Sequence, residues 1–428
     1  MLIDRPIPFL DLVLSISEAT DLIDLDINNH GKRVAYIALN IANELGLNFT
    51  DKHNLVIAGL LHDIGAFTLQ EKITLANFEF EFKYSTNEKN RHGELGYMVL
   101  RKFSPLSEIA EVIRYHHYTY KEAKKLTDVG ENILLFSQII HLADRIDILI
   151  NKKAEILNQV KDIYATITKF SGEYFNPKLV EIFNYLESKE YFWLDIVSNP
   201  QISTFSRLLG YLPLDFSLDK ILDFSIMFSH IIDFRSSFTA THSKGVTKTA
   251  AILAKLNNFS TRECKMMEVA GYLHDLGKLS VPAEILEKSS GLTDSEFKII
   301  RGHTYFTYKI LSNVANLDII NSWASFHHEH LDGSGYPFHL NEDELSLGSR
   351  IMAVSDIFTA ITEDRPYRKG MSKAESLKIL ETMAGNNKID INVVQVLKQN
   401  YDEINSARTI SQNEALIAYK EFREFYKS

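Results

Sequence analysis

The sequence predicts an all-α protein made of two tandem helical domains. Apolar residues recur at helical spacing over most of the 428 residues, as at Val246, Ala250 and Leu253, whereas the alternation of Val, Thr and Ile that predicts strands is almost absent. A seven-residue segment that begins at Gly59 also recurs, with two substitutions, 212 positions later at Gly271. A helical pattern that is repeated in this way indicates two similar helix bundles.

The repeat extends to most of the histidines, since ten of the fifteen have a partner 211 or 212 positions away in the other half. The pairs are His30 with His242, His62-Asp63 with His274-Asp275, His92 with His303, His116-His117 with His327-His328, and Asp144 with Asp356. We interpret the chain as a tandem duplication. Domain one is predicted to cover residues 1–205 and domain two residues 206–428, with the boundary in a stretch rich in helix breakers.

Each set of seven polar residues indicates a metal centre. A single histidine on an apolar helix face is usually a hydrogen-bonded core residue, and we interpret His53, His141, His230, His330 and His339 in that way. Seven buried polar groups at one point would leave donors unsatisfied unless a cation were bound. Five imidazoles and two carboxylates are typical of a two-metal site, and they suit iron, manganese, cobalt, nickel or zinc. Of these metals we favour iron or manganese.

Composition narrows the function further. The formal net charge of -10 argues against DNA or RNA as a partner, because a protein that binds nucleic acids needs an extended basic face. The single cysteine excludes an internal disulfide and a thiolate metal cage. We find no long apolar run and no pattern of a signal peptide, so we expect no membrane partner and a cytoplasmic location. A small phosphorylated ligand remains compatible, since metal ions supply positive charge.

The second half carries a connected set of motifs over about residues 220–380. They are His242-Ser243, His274-Asp275-Leu276-Gly277-Lys278, His303, His327-His328-Glu329, Asp332-Gly333-Ser334-Gly335-Tyr336-Pro337, Asp356 and Asp364-Arg365-Pro366-Tyr367-Arg368. Together they resemble the HD-GYP subgroup of the HD-domain metal-dependent phosphohydrolases, so both domains are expected to be of the HD type. The resemblance implies hydrolysis of a bacterial cyclic dinucleotide, cyclic di-GMP or 3′3′-cyclic GMP-AMP, to a linear dinucleotide.

Carried over to this chain, the resemblance implies that Asp275 bridges two divalent ions. The implied ligand sets are His242, His274 and Asp356 for one ion and His303, His327 and His328 for the other. Some relatives hold a third ion through a glutamate four residues before the first histidine. This chain has Phe238 at that position, and phenylalanine cannot bind a metal. We therefore expect two ions.

The expected chemistry follows from charge. A hydroxide that bridges two cations is available near neutral pH and can attack phosphorus in line with the departing 3′-oxygen. Lys278, one helical turn after the His-Asp pair, can reach a phosphate as a point charge, and with Asp275 it forms the predicted catalytic pair. Arg365 and Arg368 could hold the second phosphate, although a solvated helix end also explains them. Tyr336 is expected to shape the substrate pocket.

Domain one keeps the ligand types but departs from the subgroup in its substrate contacts. Ala66 stands where domain two has Lys278, and neither the Gly-Tyr-Pro loop nor the Arg365–Arg368 stretch has a counterpart. We expect further metal in this domain at His30, His62, Asp63, His92, His116, His117 and Asp144. A module that senses a ligand or mediates dimerisation is favoured over a second hydrolase, because the substrate contacts are missing while the ligands are present.

Two other function classes stay open for the whole chain. It could be a sensor or interaction module that binds a cyclic dinucleotide without cleaving it, or a di-iron oxygenase of the HD superfamily. Lys278 and the Gly-Tyr-Pro loop argue against the oxygenase. A homodimer is compatible with the sequence.

Overall fold

A computed structural model describes residues 7–21, 29–66, 68–79, 85–200, 202–209, 215–235, 239–286, 288, 290–364 and 369–427. Within these residues α-helices make up nearly all of the regular structure, and the sheet that they contain is one antiparallel pair, Ile7–Pro8 with Asp215–Phe216. In that pair Ile7 lies opposite Phe216 and Pro8 opposite Asp215. The prediction of an all-α protein is confirmed.

The contacts within the chain divide it into two units. One consists of Leu10–Leu214, and the other of Asp215–Ser428 together with Met1–Phe9. We call them the N-terminal and the C-terminal unit. The limits 1–205 and 206–428 that the repeat suggested stay a prediction.

In the N-terminal unit, one buried helix supports the others. His30–Glu44 is buried from its first residue to Ala42, and it packs against Phe49–Leu61 and Glu131–Ile148. The α-helices described between residues 9 and 209, outside 22–28, 67, 80–84 and 201, are Phe9–Asp21, His30–Glu44, Phe49–Leu61, Leu69–Leu75, Thr86–Leu100, Ser107–Arg114, Tyr120–Ala123, Glu131–Ile148, Val160–Lys169, Pro177–Glu187, Glu190–Val197 and Ile202–Leu209. Short 3₁₀ helices lie at Ser104–Leu106 and Ile156–Asn158.

The C-terminal unit repeats this arrangement. Its central helix, Thr239–Leu256, packs against Thr261–Leu273, Leu347–Thr362 and the long final helix Tyr401–Lys427. In the described part of this unit the α-helices are Leu218–Arg235, Thr239–Leu256, Thr261–Leu273, Ala283–Leu286, Asp294–Leu311, Asp318–Ser325, Leu347–Thr362, Lys373–Gly385, Ile391–Gln399 and Tyr401–Lys427, and Leu276–Ser280 is a 3₁₀ helix.

Local sequence sets where the functional helices begin. In a capping box a Ser or Thr side chain accepts from the backbone N–H three residues later, and the Glu there accepts from the N–H of the Ser or Thr. Ser260 and Glu263 start the helix that ends before His274 in this way. Further boxes are Thr68 with Glu71, Ser85 with Glu88, Thr119 with Glu122, Thr293 with Glu296 and Ser372 with Glu375.

None of the helices in the described part of the chain has the length and apolar character needed to cross a bilayer.

Candidate active site

Five segments of the C-terminal unit bring the seven predicted ligands of domain two together. His242 lies in Thr239–Leu256, His274 and Asp275 follow Thr261–Leu273, His303 lies in Asp294–Leu311, His327 and His328 follow Asp318–Ser325, and Asp356 lies in Leu347–Thr362. Ligand atoms fall within 4.8 Å of one another in three groups: His242, His274 and Asp356; His274, Asp275 and His327; and His303, His327 and His328. The first and last groups are the sets that the family resemblance implied for two ions, and Asp275 lies between them.

Two imidazoles of this cluster face each other with their lone pairs. Nδ1 of His303 donates to the carbonyl of Ile300, and Nδ1 of His327 to that of Ala324, both at 2.6 Å. Burial lowers the pKa of His303 to about 3 and that of His327 well below its usual value, so both rings are neutral. Each ring then carries its lone pair on Nε2, and the two Nε2 atoms lie 3.3 Å apart. Such an arrangement is repulsive without a cation and fits a shared metal site.

Other potential ligand atoms, in this cluster and among the equivalent residues of the N-terminal unit, also indicate bound metal. Nε2 of His62, Nε2 of His274 and Oδ1 of Asp144 are buried, and they have no hydrogen bond to the described residues. Imidazole nitrogens and carboxylate oxygens of neighbouring residues lie 3.2 to 3.9 Å from these three atoms without forming a hydrogen bond to them. Buried polar atoms are rarely left in this state. Because imidazole and carboxylate donors suit divalent transition metals, these residues fit a metal ion.

Asp275 is covered by the lysine that follows it. Nζ of Lys278 lies 2.7 Å from Asp275 Oδ2, while Asp275 Oδ1 lies 3.5 Å from Nε2 of His303. Burial would raise the pKa of Asp275, but His274 and Lys278 outweigh it and hold that pKa well below its usual range. The side chain of Asp275 is 2% exposed, whereas those of Lys278 and His328 are 20% and 30% exposed. The cluster is therefore open to solvent at Lys278 and His328.

The Gly-Tyr-Pro loop lies beside this opening and is held by a buried carboxylate. Glu329 accepts from the backbone N–H of Phe338 at 2.7 Å and of Leu340 at 3.1 Å. Gly335 is required because a Cβ there would lie 2.3 Å from the backbone nitrogen of His330. The ring of Tyr336 contacts two groups: its centroid lies 5.0 Å from that of the His328 ring and 4.6 Å from the guanidinium carbon of Arg301. Tyr336 thus forms part of the wall of the site.

The N-terminal unit gathers its own seven residues in a second cluster. Ligand atoms of His30, His62 and Asp144 form one group and those of His92, His116 and His117 another, each within 4.8 Å. Asp63 lies between them, with Oδ2 3.5 Å from Nε2 of His62 and Oδ1 3.4 Å from Nε2 of His92.

The two clusters differ in how they are covered. Ala66, at the place of Lys278, is buried and cannot reach Asp63, and the side chain of Asp63 is 19% exposed. In place of the Gly-Tyr-Pro loop, a short helix, Tyr120–Ala123, follows His117, and its first backbone N–H bonds to the carbonyl of Tyr174 at 2.9 Å. Among the described residues, Ala66 therefore places no cation over the central aspartate of the N-terminal cluster, and a helix stands where the other cluster has its loop.

Buried arginine also distinguishes the N-terminal cluster. Arg145 donates to Asp144 Oδ2 through Nη2 at 2.6 Å and Nε at 3.1 Å, and through Nη2 to the carbonyl of Leu75 at 3.3 Å. The positive charge of Arg145 offsets the negative charge of the Asp144 carboxylate. The repeat places Ile357 in the C-terminal unit where Arg145 stands, so Asp356 has no such neighbour at that position.

Sequence reasoning missed a carboxylate behind the first histidine of each cluster. Nδ1 of His30 lies 2.7 Å from Asp147 Oδ2, and Nδ1 of His242 lies 3.2 Å from Glu363 Oε2. Burial lowers the pKa of His30, but Asp144 and Asp147 outweigh this effect and raise it to about 9. Asp147 could have been found, because it lies one turn after Asp144 on the same helix. Glu363 lies just beyond the end of its helix and gives no comparable signal.

Three residues singled out in the sequence lie outside the described residues. They are Arg365 and Arg368, predicted to bind the second phosphate, and Phe238. The remaining predicted site residues are described, and all of those predicted as metal ligands lie in one of the two clusters.

Comparisons with known proteins match both halves of the chain to the same kind of domain. A family described as HD domain matches residues 28–149, and a second family of the same description matches residues 227–393. The chain is 30% identical over 403 residues to the 3'3'-cGAMP-specific phosphodiesterase 1 of Vibrio cholerae, and the match covers 90% of each chain. It is 37% identical to a cyclic di-GMP phosphodiesterase of Pseudomonas aeruginosa over 142 residues, 33% of this chain and 34% of that one.

A solved structure has the same fold. The crystal structure of a cyclic GMP-AMP-specific phosphodiesterase of Vibrio cholerae superposes with a TM-score of 0.65 at 24% identity. The superposition covers 93% of this chain and 98% of that one.

Proposed function

This chain belongs to the HD-GYP group of the HD-domain phosphodiesterases, and from that premise we propose that its C-terminal unit hydrolyses 3′3′-cyclic GMP-AMP to a linear dinucleotide. The observation that carries the proposal is a cluster with opposed imidazole lone pairs that is open to solvent beside a lysine. The choice of dinucleotide is supported by the extent of the matches. The relative named for cyclic GMP-AMP matches over both units, whereas the one named for cyclic di-GMP matches over a third of the chain.

Two divalent ions, iron or manganese, are the proposed cofactors of this unit. His242, His274 and Asp356 would hold one, His303, His327 and His328 the other, and Asp275 would contact both. Such ions polarise phosphoryl oxygens and make hydroxide available near neutral pH.

The remaining side chains would bind and orient the substrate. Lys278 lies at the opening of the cluster, where its ammonium can exchange part of its contact with Asp275 for a phosphate oxygen. Tyr336 offers a ring face at the same opening, and Arg301 lies against that ring. A purine base can stack on such a pair, because aromatic and guanidinium planes both stack on bases. Glu329 holds the loop that presents Tyr336 and thereby limits how the dinucleotide can enter.

Turnover of the two cyclic dinucleotides is the direct test. We expect kcat/KM for 3′3′-cyclic GMP-AMP to exceed that for cyclic di-GMP by about tenfold or more, the effect of one or two changed base contacts. Chromatography of the products, with Mn²⁺ or Fe²⁺ supplied, measures both rates. The variant His274→Ala/Asp275→Ala is the control and should leave both substrates intact. Binding without cleavage by the wild type would favour the sensor, and oxygen consumption with an organic phosphonate the oxygenase.

For the N-terminal unit we propose a metal-stabilised regulatory module. Its cluster has the ligand types. However, Arg145 is paired with Asp144 and Ala66 stands in place of a lysine, so these positions offer little positive charge for a phosphate. His62→Ala is therefore expected to lower the metal content of the protein without removing turnover of any nucleotide. A panel of cyclic, linear and mononucleotides, assayed beside the matched variant His274→Ala, measures this. Loss of one activity in His62→Ala that His274→Ala retains would identify a second hydrolase.

A further inference from the structure

The offset of 212 between the halves pairs residues that differ in chemistry behind the first histidine. In the N-terminal unit, Asp147 accepts from His30 Nδ1 at 2.7 Å. Arg33 holds this carboxylate with two hydrogen bonds, from Nε at 2.6 Å and from Nη2 at 2.9 Å. At the same offset the C-terminal unit has Thr359 for Asp147 and Gly245 for Arg33. Both halves of the ion pair are therefore absent from the equivalent positions.

Thr359 cannot supply the carboxylate of Asp147, and Gly245 cannot supply the guanidinium of Arg33. Thr359 is fully buried, and its hydroxyl makes no hydrogen bond to the described residues. Gly245 has no side chain, and Gln412 of the final helix, Tyr401–Lys427, lies in the space that a side chain there would fill. A Cβ on Gly245 would lie 2.8 Å from Nε2 of Gln412 and 2.9 Å from Cγ2 of Thr359. Gln412 thus lies where the side chain of Arg33 begins in the other unit.

The missing carboxylate is supplied one turn further along the chain. Oε2 of Glu363 lies 3.2 Å from Nδ1 of His242 and accepts from Nε2 of Gln412 at 3.1 Å. The residue is 6% exposed, so these contacts are made away from water. Arg408, one turn before Gln412, donates to the Gln412 side-chain oxygen and so orients the amide toward Glu363.

We propose that Glu363 and Gln412 are the positioning residues of His242, in place of the Asp-Arg pair that orients the first histidine of the other cluster. The inference rests on the proposed metal site, because its consequence is the direction of His242 Nε2 toward the ion. A hydrogen bond to the distal ring nitrogen fixes the tautomer and the orientation of a ligating histidine. The long final helix is then part of the active site. Glu363 also meets a neutral amide at this position, whereas Asp147 meets a guanidinium.

Mn²⁺ binding to the full chain tests this role separately from turnover. The variant His62→Ala/Asp63→Ala serves as the parent, so that the C-terminal cluster dominates the titration against a fluorescent chelator. Adding Glu363→Ala is expected to weaken Mn²⁺ binding about 10- to 100-fold, and Glu363→Gln and Gln412→Leu less, since each leaves part of the hydrogen bonding in place. Thr359→Val, which removes an unbonded hydroxyl at nearly constant volume, is the control and should bind as the parent does. Circular dichroism confirms that each variant is folded.

The internal repeat also supplies a rescue. Thr359→Asp in the Glu363→Ala background restores the carboxylate at the position used by the N-terminal unit, and we expect it to recover most of the lost affinity. Mn²⁺ binding by folded Glu363→Ala at parental strength, or no recovery in the folded double variant, would overturn the proposal. If binding depends on Glu363 as expected but no cyclic dinucleotide is cleaved by the wild type, the proposed function fails and the role of Glu363 stands.

Discussion

Replacing Asp275 by alanine is expected to lower turnover of the cyclic dinucleotide by about a thousandfold or more. Its two carboxylate oxygens face different groups of ligands, with Oδ2 3.2 Å from Nε2 of His274 and Oδ1 3.5 Å from Nε2 of His303. Loss of this side chain would separate the two proposed ions and remove the site at which water is activated near neutral pH. It would also remove the carboxylate that Lys278 contacts at 2.7 Å.

Steady-state kinetics and metal analysis of the same preparation measure both effects. The repeat provides a matched control, since Asp63→Ala makes the same change at the equivalent position of the N-terminal unit. We expect Asp63→Ala to keep turnover within a few-fold of the wild type. Folded Asp275→Ala with a tenth or more of the wild-type rate would contradict the assignment of the active site to the C-terminal unit.

Removing the metal ions is expected to stop turnover and to lower the melting temperature by about 10 °C. An ion present at about 1,000 times its Kd contributes about 4 kcal/mol, and each kcal/mol shifts the melting temperature of a domain of this size by roughly 2–4 °C. The opposed Nε2 atoms of His303 and His327, 3.3 Å apart, are the groups that gain most from the cation. Differential scanning calorimetry before and after chelation measures the shift. Reloading with Mn²⁺ or Fe²⁺ should restore both properties.

The metal affinity should also rise with pH. Burial alone would lower the pKa of His242, but the carboxylates of Glu363 and Asp356 outweigh burial and raise this pKa to about 10. His242 therefore carries a proton at pH 7 until a metal displaces it, and binding becomes weaker as the pH falls. Titrations at pH 6.5 and 8.0 would show this as tighter binding at the higher pH. Equal affinity at both values would contradict the protonated state of His242 in the metal-free protein. An unchanged melting temperature after chelation would contradict metal binding by the cluster.

Much of this organisation could be predicted from residue order alone. Helical periodicity and the scarcity of strand patterns determined the fold class, because the burial of one helix face leaves a local mark in the sequence. The nearly constant offset of 211 or 212 between the histidine pairs determined that two clusters would form and which residues would gather in each. A duplicated chain that keeps residue type and spacing places equivalent side chains at equivalent points of both bundles.

Only the tertiary structure decided what surrounds those residues. Lys278 contacts Asp275 because of the conformation of the turn after the helix Thr261–Leu273. The exposure of Asp63 depends in the same way on the turn after Phe49–Leu61. The exchange of an Asp-Arg pair for Glu363 and Gln412 depends on a helix more than 150 residues after His242, packed against Gly245. Contacts between distant elements leave no periodic signal in the sequence, so the support of a metal ligand can move while the ligand itself stays in place.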